Sequence, residues 1–133
     1  MAYVSKQSGT PQIFIKNLNS GHVKRLTYQG KYNTTPAWSP TGQKIAYTGL
    51  SDSRFDIYVI DVNGGDPVQL TRNAGDNESP SWAPDGSMIA FASTREGRWK
   101  VYVMTAYGTD QRRLLNLSGE QTNPKWSANI LNK

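Results

Sequence analysis

Short apolar runs alternate with polar segments along the whole chain. The runs are four to six residues long and rich in β-branched and aromatic side chains, and the segments between them carry Gly, Pro, Asn and Asp. Runs of this length bounded by turn residues predict strands. Those at 89–93 and 101–105 are almost continuously apolar, which is typical of strands covered on both faces. The pattern therefore predicts an all-β protein.

The runs repeat at a fixed interval. Trp38, Trp82 and Trp126 are spaced by 44 residues, and each follows a Pro by two positions. A period in this range is typical of propellers and solenoids. We therefore interpret residues 1–133 as a single unit of three 44-residue repeats, at about 1–44, 45–88 and 89–132.

Each repeat carries four short strands. In the first repeat the apolar runs fall at 2–5, 13–15 and 23–27, and a polar loop at 28–35 leads to the next Trp strand. Thr41-Gly42 and Asp85-Gly86 provide a residue that tolerates positive φ in a tight hairpin. The Trp side chains are interpreted as packing anchors, with ligand stacking as the alternative.

Charge and composition exclude several classes of function. The formal charge is +5, but Lys and Arg are dispersed and Arg112-Arg113 is too short a cluster to indicate a nucleic-acid surface. The chain has no Cys, which excludes disulfides and thiolate chemistry. No apolar stretch reaches the length of a membrane span, so no direct membrane insertion is expected. Met1 lies just ahead of the repeat phase, as in an excised piece of a longer protein.

The motif W-[SA]-P-[DT]-G-x-x-I-A-[FY], followed by [IV]-Y-V-[MI] and L-T, resembles the PD40 (WD40-like) repeat of the TolB family of six-bladed propellers. The resemblance covers essentially the whole chain and is greatest to the C-terminal half of that propeller. It implies three four-stranded blades, half of a six-bladed β-propeller. It also implies a periplasmic, non-enzymatic protein of the Tol-Pal cell-envelope system that binds Pal, a lipoprotein, or a disordered peptide segment at the channel mouth.

The phase of the repeats predicts a homodimer. The chain starts at the second strand of a blade and ends at the first strand of another, and three blades are too few to close a ring. We expect a second chain to complete a six-bladed ring with two-fold symmetry, residues 123–126 of each chain supplying the missing strand of the other.

Catalytic signals are weak. His22 is the one histidine, and it lies in a turn without a pattern of Ser, Asp or Cys around it. The segment 61–66 is a turn by composition, because its acidic residues do not follow a calcium-loop order. No cofactor or metal is expected.

The candidate binding residues lie in the loops at one end of the predicted blades, since loops carry function on a fixed scaffold. Polar residues just before each Pro-x-Trp should lie nearest the axis, and aromatic residues with neighbouring arginines should lie farther out. The alternatives are that the polar groups only satisfy backbone groups and that the aromatic rings lie between blades. The candidates are Asn33, Thr34, Thr35, Asn77, Glu78, Ser79, Gln121, Thr122, Asn123, Phe55, Trp99, Arg54 and Arg98.

Two other functions remain open from the sequence. Similar blades occur in the gating propellers of prolyl-oligopeptidase-like and tricorn-like serine peptidases, and a purely structural half-propeller is the third reading.

Overall fold

The computed structural model describes residues 1–114 as eleven strands in three antiparallel sheets. The strands are β1 (Ala2–Ser5), β2 (Gln12–Lys16), β3 (Val23–Arg25), β4 (Asn33–Trp38), β5 (Lys44–Ser51), β6 (Arg54–Asp61), β7 (Val68–Gln69), β8 (Asn77–Trp82), β9 (Met88–Ser93), β10 (Lys100–Thr105) and β11 (Arg112–Arg113). Each sheet is a meander in chain order: β1 to β3, β4 to β7, and β8 to β11. We call them the first, second and third blades.

The predicted all-β blade architecture is confirmed. The second and third blades have four strands, and the first has three in the described part of the chain, beginning with the strand that corresponds to β5 and β9. The hairpin glycines Gly42 and Gly86 have φ of 75° and 77°, as the turn pattern predicts.

The fourth strand of a blade is shorter than its apolar run suggests. The sequence predicts a strand over 23–27, but β3 ends at Arg25. The reason is Thr27, whose hydroxyl accepts the backbone N–H of Ile13 at 2.9 Å in place of a main-chain carbonyl. Thr71 does the same for Ile57 at 3.0 Å in the second blade.

The second blade is buried on both faces. One face contributes Ala46, Ile57 and Val59 to a core shared with the third blade, and the other contributes Ile45 and Ile60 to a core shared with the first. Alternate residues of one strand therefore enter different cores, which explains its continuous apolar run.

A Trp residue joins neighbouring blades. The Trp82 indole packs against the core between the second and third blades and donates its Nε1–H to the Ala37 carbonyl of β4 at 2.9 Å. This confirms the packing interpretation for Trp82. Trp38, at the equivalent position one repeat earlier, is 38% exposed. Trp126 lies outside the described residues.

The first strands of the second and third blades contain a bulge. In β4 the pairing shifts between Thr34 and Ala37, and in β8 it shifts between Glu78 and Ser81. Thr35 and Ser79, at equivalent positions in these bulges, have φ of 49° and 57°. Non-glycine residues adopt this region at a cost and need support from their surroundings.

The hydroxyl of Thr48 supports both bulges. It is fully buried, lies 2.5 Å from the Thr35 hydroxyl and accepts the backbone N–H of Ser79 at 3.0 Å. Because Thr48 belongs to β5 and Ser79 to β8, this single oxygen connects two blades.

Replacing Thr48 with Val should lower the free energy of unfolding by about 1–3 kcal/mol, since the Ser79 N–H loses its acceptor without a change in side-chain volume. Chemical denaturation measures the loss. The exposed Thr41→Val serves as control and should change stability by less than about 0.5 kcal/mol. Equal effects of the two substitutions would contradict the bridging role of Thr48.

Candidate partner-binding face

The candidate loops share one end of the blades, as predicted. Asn33 pairs with Gly49 near the end of β5, and the hairpin from β5 to β6 closes at the Ser51–Arg54 pair. Asn77 lies opposite Ser93 in the third blade in the same way. The strands β4 and β8 are edge strands that contact each other across the blades. We call this end of the molecule the loop face.

A repeated hydrogen-bond network supports the loop face. In the second blade the Asp56 carboxylate accepts the Thr71 hydroxyl at 2.6 Å and the Asn77 amide at 3.0 Å. In the first blade the Gln12 Oε1 atom accepts Thr27 at 2.6 Å and Asn33 at 2.8 Å. Each network ties the outer strand of one blade to the first strand of the next.

Asn33 and Asn77 have a structural task in this network. Both are buried, and their amides also donate to loop carbonyls, that of Gln29 at 2.9 Å and that of Ala74 at 3.4 Å. The geometry agrees with the alternative in which the amides satisfy backbone groups at a crowded edge. Their contact with a partner stays a prediction.

The next residues are more accessible. Thr35 is exposed, whereas Thr34, Glu78 and Ser79 are half-buried. Burial, and to a lesser extent the neighbouring Asp76 carboxylate, raises the pKa of Glu78 above its ordinary value of 4.5. The loop face thus carries hydroxyls and one partly desolvated carboxyl near the edge strands.

Farther from that edge, Arg54 lines a polar cleft of about 410 Å³, and Phe55 follows it in the chain. Arg54 is exposed, and the half-buried Phe55 ring packs edge-on against Tyr32 with ring centroids 5.9 Å apart. The backbone N–H of Phe55 donates to the Asp76 carboxylate at 3.0 Å, which anchors the hairpin to the next blade. Arg72 and Asp52 also line the cleft; both lie in loops that the sequence assigns to this end of the blades, but neither was singled out as a candidate.

On the third blade the loop face is organised by Arg95, which is not among the candidate residues. Its guanidinium lies 4.5 Å from the centre of the Tyr102 ring and donates to the Asn77 Oδ1 at 3.1 Å and the Gln111 Oε1 at 2.9 Å. The Tyr102 hydroxyl donates to Glu96, and burial together with that bond raises the pKa of Tyr102 to about 12. Arg95 is therefore a structural clamp.

The remaining candidates fall into two groups. Trp99 is half-buried and Arg98 is exposed in the hairpin loop of the third blade. Gln121, Thr122 and Asn123 lie outside the described residues. The structure thus brings the described candidates to one face of the molecule.

Other sequence features have structural explanations. His22 is exposed in a turn, as predicted, where its backbone N–H donates to the Ser20 hydroxyl at 3.2 Å. Asp61 caps its own turn by accepting the Asn63 N–H at 2.9 Å. Within residues 1–114, no group of three or more His, Cys, Asp or Glu is placed to hold a metal ion, and no helix has the length and hydropathy of a membrane span.

The comparison with protein families gives a match over nearly the full chain. The sequence model of PD40, the TolB beta propeller domain, matches residues 1–130. The chain belongs to the TolB beta-propeller family. A comparison with curated proteins gives no significant match.

Solved structures agree with this assignment. A putative TolB from Agrobacterium tumefaciens superposes with a TM-score of 0.85 at 28% identity, covering 92% of this chain and 44% of that one. TolB from Acinetobacter baumannii gives 0.78 at 33% identity, covering 90% and 30%. The chain therefore spans less than half the length of these TolB structures.

Propellers of other proteins share the fold. A puromycin-hydrolyzing peptidase from Mycobacterium tuberculosis superposes with a TM-score of 0.70 at 19% identity, covering 86% of this chain and 20% of that one. At this identity the likeness shows a common fold and no common activity.

The raised pKa of Glu78 sets the sign of a pH effect. The folded state binds this proton more tightly than the unfolded state, so stability from this group is lost as pH rises above the ordinary value of 4.5. The melting temperature of Glu78→Gln should therefore exceed that of the parent protein by a margin that grows from pH 4 to pH 7.

Glu96→Gln provides a control of opposite sign in the same melting experiments. The bond from Tyr102 lowers the pKa of Glu96. The melting temperature of the parent protein should therefore rise relative to that of Glu96→Gln as pH rises from acid conditions. If the melting-temperature difference from the parent protein changed in the same direction with pH for both variants, the raised pKa assigned to Glu78 would be contradicted.

Proposed function

We propose that the protein is a non-enzymatic protein-binding module that binds its partner at the loop face. The observation that carries the proposal is the open polar cleft of about 410 Å³ that Arg54 lines on the loop face. Membership of the TolB propeller family supports it. The partner we propose is Pal or a disordered peptide segment, in the periplasm, as part of the Tol-Pal system.

The contacts would divide into two groups. Arg54 and Arg98 are exposed guanidinium groups next to the half-buried rings of Phe55 and Trp99. Arginine and aromatic side chains together are typical of the residues that dominate binding energy in protein interfaces. Toward the edge strands, Thr34, Thr35, Glu78 and Ser79 would hydrogen-bond the partner backbone, while Asn33 and Asn77 would hold these strands in place.

We also propose that two copies of the 133-residue chain form a six-bladed ring. In the second and third blades, β5 pairs with β4 and β9 pairs with β8. Their equivalent in the first blade, β1, forms the edge of its sheet. An unpaired strand edge is a ready template for another chain. Residues 123–126 repeat the Pro-x-Trp end of β4 and β8 in sequence, so a second copy could supply this strand beside β1.

The position of Trp38 supports this arrangement. Trp82 donates to Ala37, the residue that precedes Trp38. The equivalent acceptor for Trp38 would be the carbonyl of Lys125, the residue that precedes Trp126, from the second copy. The 38% exposure of Trp38 in a single chain agrees with a missing neighbour.

Binding of Pal tests the proposed function. Isothermal titration of the soluble domain of Pal into the protein should show saturable binding, and Glu78→Lys combined with Trp99→Ala should weaken it at least about tenfold, or ~1.4 kcal/mol. Leu18→Ala, in an exposed turn at the opposite end, should leave the affinity unchanged. An unaltered affinity of the double variant, with its fold and assembly intact, would refute the site.

Light scattering at micromolar concentration tests the ring. We expect twice the chain mass of 14.8 kDa for the parent protein. Trp38→Phe, which removes the indole donor but keeps an aromatic ring, should shift the equilibrium toward monomer, whereas Trp82→Phe should lower stability with less effect on mass. A folded monomer of 14.8 kDa for the parent protein would exclude the dimer.

A further inference from the structure

A second cleft lies at the end of the blades opposite the loop face. It has a volume of about 390 Å³ and runs between the second and third blades. Val59, Val68 and Leu70 form the wall on the second blade, and Trp82 and Tyr107 form the wall on the third. Val68 is 59% exposed and Tyr107 is 88% exposed, so apolar surface is open to solvent here.

The corresponding junction between the first and second blades is covered. Lys24 occupies the repeat position of Val68, and its ammonium group donates to the carbonyl of Val62 on the next blade at 3.0 Å. Val62 in turn occupies the repeat position of Ala106. The fold thus accepts a lysine whose side chain spans the junction between the first and second blades. Between the second and third blades the equivalent residues are the shorter Val68 and Ala106, which leave that junction open.

The open cleft carries charge opposite to that of the chain as a whole. The net formal charge of the protein is +5, yet the charged residues lining the cleft are Asp61, Asp66, Asp85 and Lys44. Hydrogen bonds fix these carboxylates: Asp61 and Asp85 accept N–H groups of their own turns, and Asp66 accepts the Gln29 amide at 3.0 Å. The bonds from Ser87 lower the pKa of Asp85 and keep it ionised.

We propose that this cleft binds a short basic-aliphatic segment of a protein partner. An aliphatic side chain would pack on Val68, Leu70 and Trp82, and a neighbouring Lys or Arg would lie among the carboxylates. Apolar contact supplies affinity in such a site, and charge complementarity selects the partner. The site lies at the opposite end from the loop face, so its occupancy does not depend on binding there.

Three capped peptides provide the probes. One contains Leu-Lys-Leu between glycines, the second has Glu in place of Lys, and the third has Ala in place of both Leu residues. Titrated into the full 133-residue chain, the Leu-Lys-Leu peptide should shift the amide NMR signals of Val68, Ala106 and Tyr107 in a saturable way. The other two should bind at least tenfold more weakly.

Substitutions on the two junctions separate the site from general surface effects. Val68→Lys copies the residue that covers the first junction, so it should fold normally and weaken the Leu-Lys-Leu peptide at least tenfold. Asp66→Asn with Asp85→Asn should remove the preference for Lys over Glu. Lys24→Val, at the covered junction, should change neither result.

Several outcomes would overturn the proposal. These are no saturable shift at millimolar peptide, equal binding of the Lys and Glu peptides, or unchanged binding by Val68→Lys. A loss of dimer mass on Val68→Lys would show that a second copy occupies the cleft, which also overturns it. Failure here would leave Pal binding at the loop face untouched, so the two proposals fail separately.

Discussion

The structure depends on how the end of one blade is tied to the start of the next. At the end of the outer strand, the hydroxyl of Thr27 or Thr71 accepts a backbone N–H of the neighbouring strand, where a main-chain carbonyl would otherwise do so. The same hydroxyl donates to the Gln12 side chain in the first blade and to the Asp56 carboxylate in the second. The same acceptor receives the amide of Asn33 or Asn77 from the following blade. Because these groups are buried, each would be costly to leave without a partner. The network therefore fixes where β4 and β8 begin, and with them the position of the loop face in the described part of the chain.

The two described networks differ in charge at one position. Gln12 is a neutral amide, whereas Asp56 is a carboxylate that also accepts the Gln69 amide at 3.3 Å. Hydrogen bonds to a charged acceptor are stronger than those between neutral groups. The second blade, which has packed neighbours on both faces, thus also has the charged version of the tie.

The repeat made the blade architecture predictable, because the period of the Trp positions and the alternation of apolar runs express the packing of each unit. The loop face was less predictable. Asn33 and Asn77 were candidates because they are polar and precede Pro-x-Trp. Their contacts with Gln12 and Asp56 form only in the folded structure, because those residues are distant in sequence. Their common period with Thr27 and Thr71 was the available signal. The specific contacts of Arg72 and Arg95 were not predictable in this way, since neither residue is repeated between units.

The shared support of the bulges at Thr35 and Ser79 determines where one unit of this propeller ends. Ser79 lies in the first strand of the third sheet, yet the oxygen that accepts its backbone N–H belongs to Thr48 in the second. The energetic boundary between neighbouring units therefore lies within the sheets and not in the loops that connect them. A blade excised at its loops would lose a hydrogen-bond partner that its own sequence does not contain, so we expect the stability of each blade to depend on its neighbour.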